Sequence, residues 1–528
     1  MKKRSSPAVV DEEEMAAMAP SPPPAAGDDE PAVMERQYKK PCWTTTTATS
    51  NGGLGLVVIV GTLVCPAFLL GTRWIDHDAA APATGMGSFS SWRGRAPGCT
   101  RSSSAPLIPI PFSCSNGTST PTTLCRRRAP LSSSSSSSGK QKQYAPGFPP
   151  AWCPDYFRHI HTDLQPWRSG GGITREAVER ARPHAYFRLV VSGGRAYVEK
   201  YRDSFQTRDV FTQWGILQLL ARYPGRVPDV DIMFSTGDMP ELRALDFDHP
   251  DDPPSSWPAL FRYCKGETMD LAVVWPDWSF WGWPETNIRP WAPLMEDIVR
   301  ENARLRWPDR EPYAFWKGDP GSSTARKDLL QCSNHSAAAV ASRNARLYKI
   351  YVEGQSWSAS EKYILACDSP VLAIDTTFRD FFSRGLVAGK HYWPIDPANK
   401  CRAIDSAVDW GNAHPVRARR MGEEGSGFAR EEMDMEHVYE YMLHVLTQYA
   451  ALLRYKPTVP ENAVELCPES MACGRSDRQR EFMLESRERY VARYEPCTLP
   501  PPFTAQEASD MAAREQDVRS QVVNMEGR

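Results

Sequence analysis

The chain has no excess of charge of either sign. Its 62 Lys and Arg against 64 Asp and Glu leave a formal net charge of -2 over 528 residues. No broad basic field therefore draws it to nucleic acid or to an anionic membrane surface, and no nucleic-acid partner is expected. No internal repeat is present, so length alone points to two or three domains with attached segments. No GK[ST] follows a glycine-rich loop, which excludes a Walker phosphate loop. The spacing Cys467-PESMA-Cys473 has no companion His or Cys pair at zinc-ligand distance, so these cysteines read as disulfide material and no metal site is expected. Long apolar runs are missing too, with one exception.

That exception is GGLGLVVIVGTLVCPAFLLGT, residues 52–72, about as long as one bilayer crossing requires. The preceding residues 1–51, with MKKR, a DEEE run and SPPPAAG, have too little apolar surface to offset ordering entropy and read as a disordered tail. Arg36, Lys39 and Lys40 lie just before the run, whereas Arg73 after it is offset by Asp76 and Asp78. The positive-inside rule then makes residues 52–72 a single-pass, type II signal anchor with a cytosolic N-terminus and a lumenal remainder. Sequons at Asn116 and Asn334 agree with that orientation, as do eleven of the thirteen cysteines lying beyond the run. Eleven is odd, so at least one thiol is left over for a free or intermolecular role; spacing does not assign the pairs.

Residues 73–150, rich in Pro and Ser, carry no sustained period and read as a flexible stem. From 153 the texture is globular. RLVVSGGRAYVEKY reads as a hairpin, VFTQWGILQLLARY as a helix ended by Pro224-Gly225, and VDIMFS, DLAVVW, PYAFWKG, ARLYKIYVEG, SPVLAID and HYWPI as strands separated by helical patterns. Strands alternating with helices predict an α/β protein with crossover units. Two such sets suggest two Rossmann-like lobes, 151–305 and 306–500, followed by a polar tail at 501–528. In such sheets ligands sit at the carboxyl ends of strands.

Several polar stretches fall at those ends. Asp238 follows the strand VDIMF in STGDMP, where a turn aspartate bonding nearby amides is the commoner use of such a residue. Asp229 and Asp231 form a D-x-D, but it precedes its strand and reads as a solvated strand entry, not a metal site. KGDPGSSTARKDLL, residues 317–330, is a glycine-containing loop feeding a helix with Arg326; loop amides and a guanidinium suit a diphosphate, and a surface turn is the plainer alternative. GQSWSASEKYILACDS, residues 354–369, sets Ser356, Ser358 and Ser360 ahead of Lys362, either as helix caps or as ligands of phosphate and ribose oxygens. WPDWSFWGWPETNIRPW packs five tryptophans into 17 residues, with Trp278, Phe280 and Trp281 as candidate platforms for a sugar or a base, although core packing accounts for at least half of such aromatics.

Taken in order, CPDYFRHIHTDLQPW, STGDMPE, FWGWPETNIRPW, AFWKGDPG with TARKDLL, WSASEKYILACDS, and HYWPI with CRAIDSAVDWGN resemble glycosyltransferase family 90, most closely its plant-type, membrane-anchored branch, over about residues 150–500. The resemblance implies a GT-B fold, two Rossmann-like lobes facing a cleft, with the acceptor and the catalytic base on the first lobe and the nucleotide sugar on the second. It implies inverting, metal-independent transfer of glucose or xylose from UDP-glucose or UDP-xylose to a hydroxyl of a protein or polysaccharide, with no cofactor. Asp238 falls at the family's catalytic base, and Arg326 at its diphosphate-binding arginine. Lys317 and Asp319 fall at the start of the same loop, and 356–360 at a second donor loop. Ser360 stands where animal members carry an arginine, leaving Lys362 as the nearest cation; this departure is the support for an alternative, a non-catalytic, lectin-like or scaffolding relative. An anchor in place of the retrieval tail of animal members favours the Golgi membrane, with the endoplasmic reticulum as the alternative.

Overall fold

The computed structural model describes residues 107–114, 125, 151–239, 242–247, 253–266, 270–334 and 346–526. The anchor expected at 52–72, the tail before it and most of the stem lie outside the described residues. Among the described residues no helix is long and apolar enough to cross a membrane.

Strands and helices alternate as an α/β protein. Along the chain the strands are β1 (Phe187–Ser192), β2 (Arg195–Lys200), β3 (Val230–Phe234), β4 (Leu260–Arg262), β5 (Cys264–Gly266), β6 (Ala272–Val274), β7 (Glu311–Phe315), β8 (Arg346–Tyr351), β9 (Val371–Ile374), β10 (Phe378–Asp380), β11 (Trp393–Ile395) and β12 (Val464–Leu466). The helices that bear on the site are α1 (Arg208–Arg222), α2 (Trp291–Arg304), α3 (Thr324–Leu329), α4 (Glu361–Leu365), α5 (Lys400–Ala413), α6 (Met435–Ala450) and α7 (Ala505–Glu526).

A first sheet runs in the order β12-β2-β1-β3-β4-β6, and a second in the order β11-β9-β8-β7. The second is parallel throughout, as crossover helices between buried strands demand. The first is mixed: β3, β4 and β6 are parallel, but β1 pairs antiparallel with both β2 and β3. The two-residue turn decides this. Gly193 and Gly194 have φ of 56° and 75°, the left-handed pair that closes a tight hairpin and cannot carry a crossover.

Burial follows from composition. All five residues of β3 are buried, and α1 is buried on nearly every side. It lies so close to Trp281 that a Cβ on Gly215 would stand 2.5 Å from the indole ring. Asp231, the inner member of the D-x-D, sits at zero exposure in a two-point bond with Arg188 Nε and Nη2, at 2.7 and 2.6 Å. Asp229 accepts from the Gly193 amide at 2.8 Å. Asp231 is thus not a solvated strand entry; it is a buried, paired charge, and its loss would leave Arg188 with only the partly exposed Glu179 as counter-ion.

Neither half of the chain keeps to itself. After α6 the chain returns to the first sheet, adding β12 at its edge, and Tyr449 Oη donates to the Asp231 carbonyl at 3.0 Å. A division at residue 305 is therefore not a clean cut in space. The polar tail is also structured: α7 places Val522 in the core of the second sheet and pairs Arg519 with Asp375 at 2.9 Å. Part of the stretch read as a stem is bound to the body. Ile110 N donates to Arg489 O at 2.8 Å, and Cys114–Cys473 and Cys125–Cys467 are disulfides. Cys467 and Cys473 are thus disulfide material, as their spacing suggested, but each reaches back over three hundred residues. Cys153–Cys497 and Cys332–Cys401 bring the bridges among the described residues to four, chemistry that suits an oxidising compartment.

Candidate active site

The carboxyl end of β3 delivers Ser235 and Thr236, both buried, and then turns out at Gly237 and Asp238. Arg262, fully buried at the end of β4, holds this loop from beneath: its Nη2 donates to the carbonyls of Gly237 at 3.4 Å, Asp238 at 3.2 Å and Met239. The Asp238 side chain is 34% exposed, and its Oδ1 accepts from Arg208 Nη1 at 2.7 Å. Oδ2 has no hydrogen-bond partner among the described residues. The carboxylate thus has one anchored oxygen and one open one. Sequence reading missed both arginines, because neither lies within twenty residues of Asp238 and nothing local marks them as its partners.

The second constellation is built around Arg326. It stands on α3, capped by Ser323, whose Oγ accepts from the Arg326 amide at 3.3 Å. Arg326 is 9% exposed, and its guanidinium spans three segments: Nη1 donates to Asp319 O at 3.4 Å, Nε to Glu353 O at 3.0 Å, and Nη2 to Ser358 Oγ at 3.0 Å. Burial pushes its pKa down from the usual arginine value. Ser358 Oγ lies 2.9 Å from Ser360 Oγ. Asp319, Arg326, Ser358 and Ser360 thus come together, with Lys317 exposed at the start of the loop. The Asp319 carboxylate turns back on its own loop, accepting from Gly321 N at 2.9 Å. Ser356 is buried against the Cys264 thiol.

Two of the sequence expectations need correction. Lys362 does not join this cluster as a spare cation: its ammonium is fully buried, 3.0 Å from Asp277 Oδ2 and 2.7 Å from Ser279 Oγ. Burial alone would lower its pKa, but the Asp277 carboxylate reverses the effect and raises it. Trp278, Phe280 and Trp281 are likewise not exposed platforms, being 2%, 1% and 0% exposed. Trp281 donates to Tyr439 Oη at 2.9 Å against α1, and Phe280 packs on Trp291 and Phe381. The physical reason is one of area: large aromatic side chains gain most by leaving water, and this loop is packed between α1, α6 and the loop that carries Trp357. Among the described residues, an exposed aromatic does lie next to the Arg208 guanidinium: Phe205, at 62%.

The base candidate and the Arg326 cluster share one region. Cys264 Sγ lies 4.0 Å from the Asp238 carbonyl and also touches Ser356. Trp278 packs under the Arg208 guanidinium at 4.5 Å and against Trp357, between Ser356 and Ser358, at 6.1 Å. The ribbon of β5 with β10 and the Lys362–Asp277 pair tie the same loops together. Asn116 lies outside the described residues, and the side chain of Asn334, at the end of the 3-10 turn Leu330–Asn334, does too.

Two buried carboxyls, Glu361 beside Lys362 and Glu440 on α6, set a pH dependence. Burial pushes Glu361 up to about 8, with the neighbouring Asp380 acting in the same direction and Arg379 and Lys362 opposing. Burial pushes Glu440 up to about 7. In an unfolded chain both titrate near 4.5, so the folded state keeps protons that the unfolded one gives up, and that stability is lost as pH rises from about 4.5 to about 8. His159 and His391, pushed down to about 3 by burial, act in the opposite sense below about pH 6.5. Above that pH they are neutral in both states and the carboxyls govern. Thermal melts should therefore show Tm falling by a few degrees between pH 6.5 and 8, about 1–2 kcal/mol, with Glu361→Gln flattening the slope. A Tm that rises over that interval would contradict the burial of these protons.

A half-exposed carboxylate on the loop leaving β3, linked through Cys264, Ser356, Trp278 and Trp357 to the loops that Arg326 gathers, makes a candidate ligand site at strand ends in an α/β fold. The sequence pattern of Glycosyl transferase family 90 matches residues 149–347 and 337–526. The chain belongs to that family and is a glycosyltransferase. It is similar to Protein O-glucosyltransferase 1 of Homo sapiens, 23% identical over 357 residues covering 60% of this chain and 86% of the relative. It is similar also to O-glucosyltransferase rumi of Drosophila melanogaster, 21% identical over 360 residues, 60% of this chain and 82% of the relative. Protein O-glucosyltransferase 2 of Danio rerio matches at 21% over 342 residues, 58% of this chain and 64% of the relative.

Proposed function

We propose that this glycosyltransferase is an inverting, metal-independent enzyme of GT-B architecture that moves glucose, or alternatively xylose, from a UDP-sugar to a hydroxyl of a protein or polysaccharide acceptor. The observation that carries the reading is the half-anchored carboxylate of Asp238, open at Oδ2, next to the loops that Arg326 gathers. The acceptor hydroxyl is too weakly acidic to attack unaided, so Asp238 Oδ2 takes its proton as the oxygen bonds to the anomeric carbon from the face opposite UDP. The bond from that carbon to the diphosphate oxygen breaks, and its electron pair leaves with UDP. Arg326 stands where that charge develops, with the Ser358 and Ser360 hydroxyls beside it, and a prepositioned guanidinium in a partly buried site stabilises growing anionic charge more than water would. That Asp229 and Asp231 are engaged by Gly193 and Arg188 supports a scheme without a D-x-D metal.

The relatives are O-glucosyltransferases, which favours glucose. The disulfides favour a lumenal site in the secretory pathway, and with the apolar run at 52–72 we place the protein in the Golgi membrane as a single-pass, type II protein. The test is UDP release from a panel of nucleotide sugars by the full-length protein in detergent, with and without a chelator. Release from UDP-glucose or UDP-xylose that survives chelation is expected. No turnover of any donor would point to a non-catalytic, lectin-like relative, and loss on chelation would overturn the metal-independent scheme.

A further inference from the structure

Arg208 occupies a place that ordinary folding preferences disfavour. It is the first residue of α1, at the positive end of the helix dipole. Its side chain is 8% exposed, and its buried Nε has no hydrogen-bond partner. A buried cation with an unsatisfied donor at a helix start is costly and calls for a reason outside stability. Among the described residues its one carboxylate partner is Asp238.

The surroundings of Arg208 hold its guanidinium in a fixed plane. Phe205 lies 5.1 Å from it and Trp278 4.5 Å. Nη1 is shared between Asp238 Oδ1 at 2.7 Å and the Thr236 carbonyl at 3.2 Å, so the arginine measures the carboxylate against the backbone of its own loop. The turn that precedes α1 is strained: Gln206 has φ of 56°, a left-handed value for a non-glycine residue. That turn is held on both sides, Gln206 Oε1 accepting from Trp283 Nε1 at 2.7 Å and Ser204 Oγ lying 2.7 Å from Thr236 Oγ1. Helix start and base loop form one unit.

We propose that Arg208 is the positioning residue of the reaction: by fixing Oδ1 of Asp238 it makes Oδ2 the oxygen that meets the acceptor hydroxyl. The inference rests on the reading of Asp238 as general base. Arg208 itself touches neither sugar nor acceptor in this scheme; it sets the direction of the proton's path, and misplacement by an ångström costs on the order of 100-fold in such reactions.

The experiment uses the full-length protein in detergent and the nucleotide sugar that the wild type turns over, with kcat and donor KM measured for Arg208→Gln, Arg208→Lys, Asp238→Asn and the double variant Arg208→Gln/Asp238→Asn. Arg208→Gln should lose roughly 10- to 100-fold in kcat with donor KM within about twofold, Arg208→Lys should recover part of it, and the double variant should be no slower than Asp238→Asn alone. A kcat unchanged in Arg208→Gln, a rise in KM without loss of kcat, or a loss that adds in full to that of Asp238→Asn would overturn the proposal. If Arg208→Gln does not fold, Arg208→Lys decides, because a wild-type kcat in that variant also overturns it. A fully active Asp238→Asn, by contrast, removes the base assignment first and is read independently of any Arg208 variant.

Discussion

Asp238→Asn should lower transfer by about 10²- to 10⁴-fold while leaving UDP affinity near that of the wild type. The substitution is nearly isosteric, and the amide oxygen can still accept from Arg208 Nη1, so the loop that Arg262 holds keeps its shape. What disappears is the capacity of the second position to take a proton. UDP affinity should hold because the expected diphosphate contacts belong to Arg326, Ser358 and Ser360, none of which bonds Asp238. Calorimetric titration with UDP and single-turnover transfer separate the two quantities. Wild-type turnover in the variant would mean that Asp238 only shapes its turn, the commoner role of an aspartate in such a sequence.

Lys362→Met should destabilise the protein by about 3–5 kcal/mol, because it strands the Asp277 carboxylate, 2% exposed, without its counter-ion. The loss should be largely restored by adding Asp277→Asn, since a neutral amide can keep the Ser279 amide bond that Asp277 Oδ1 now accepts. Denaturant midpoints of the two single variants and the double variant give the coupling directly. This outcome separates the two uses of the residue. A cation serving the donor would cost UDP affinity and little stability; a cation bonding the loop after β6 to α4 costs stability whether or not nucleotide is present.

Local pattern made much of the fold legible. The hairpin at Gly193 and Gly194, the helix ended before Pro224, and the strands at 230–234, 272–274, 346–351 and 371–374 fall where their apolar periods and turn residues put them. Asp238 and Arg326 were legible as candidates for the same reason: each sits in a short polar stretch just after a strand, where α/β sheets keep their ligands. Their partners were not. Arg208 precedes Asp238 by thirty residues and Asp277 precedes Lys362 by eighty-five, and sequence spacing holds no record of such pairings. The five clustered tryptophans show the same limit. Their composition is equally consistent with a sugar platform and with a core, and only the packing of Trp278 against Trp357 and of Trp281 against α1 and Tyr439 settles which.

The sequence by itself determined most of the longer strands and helices, the tight antiparallel turn and the loops that carry Asp238 and Arg326, but not the short strands at 260–262, 264–266, 378–380 and 464–466, because the former depend on periodicity and turn chemistry within a dozen residues. Tertiary structure decided which oxygen of Asp238 stays open, where the charge of Lys362 goes, which cysteines join and how the chain's last third returns to the first sheet. Each of those is a contact across tens to hundreds of residues, selected by the desolvation of charges and aromatic surface once the chain is compact.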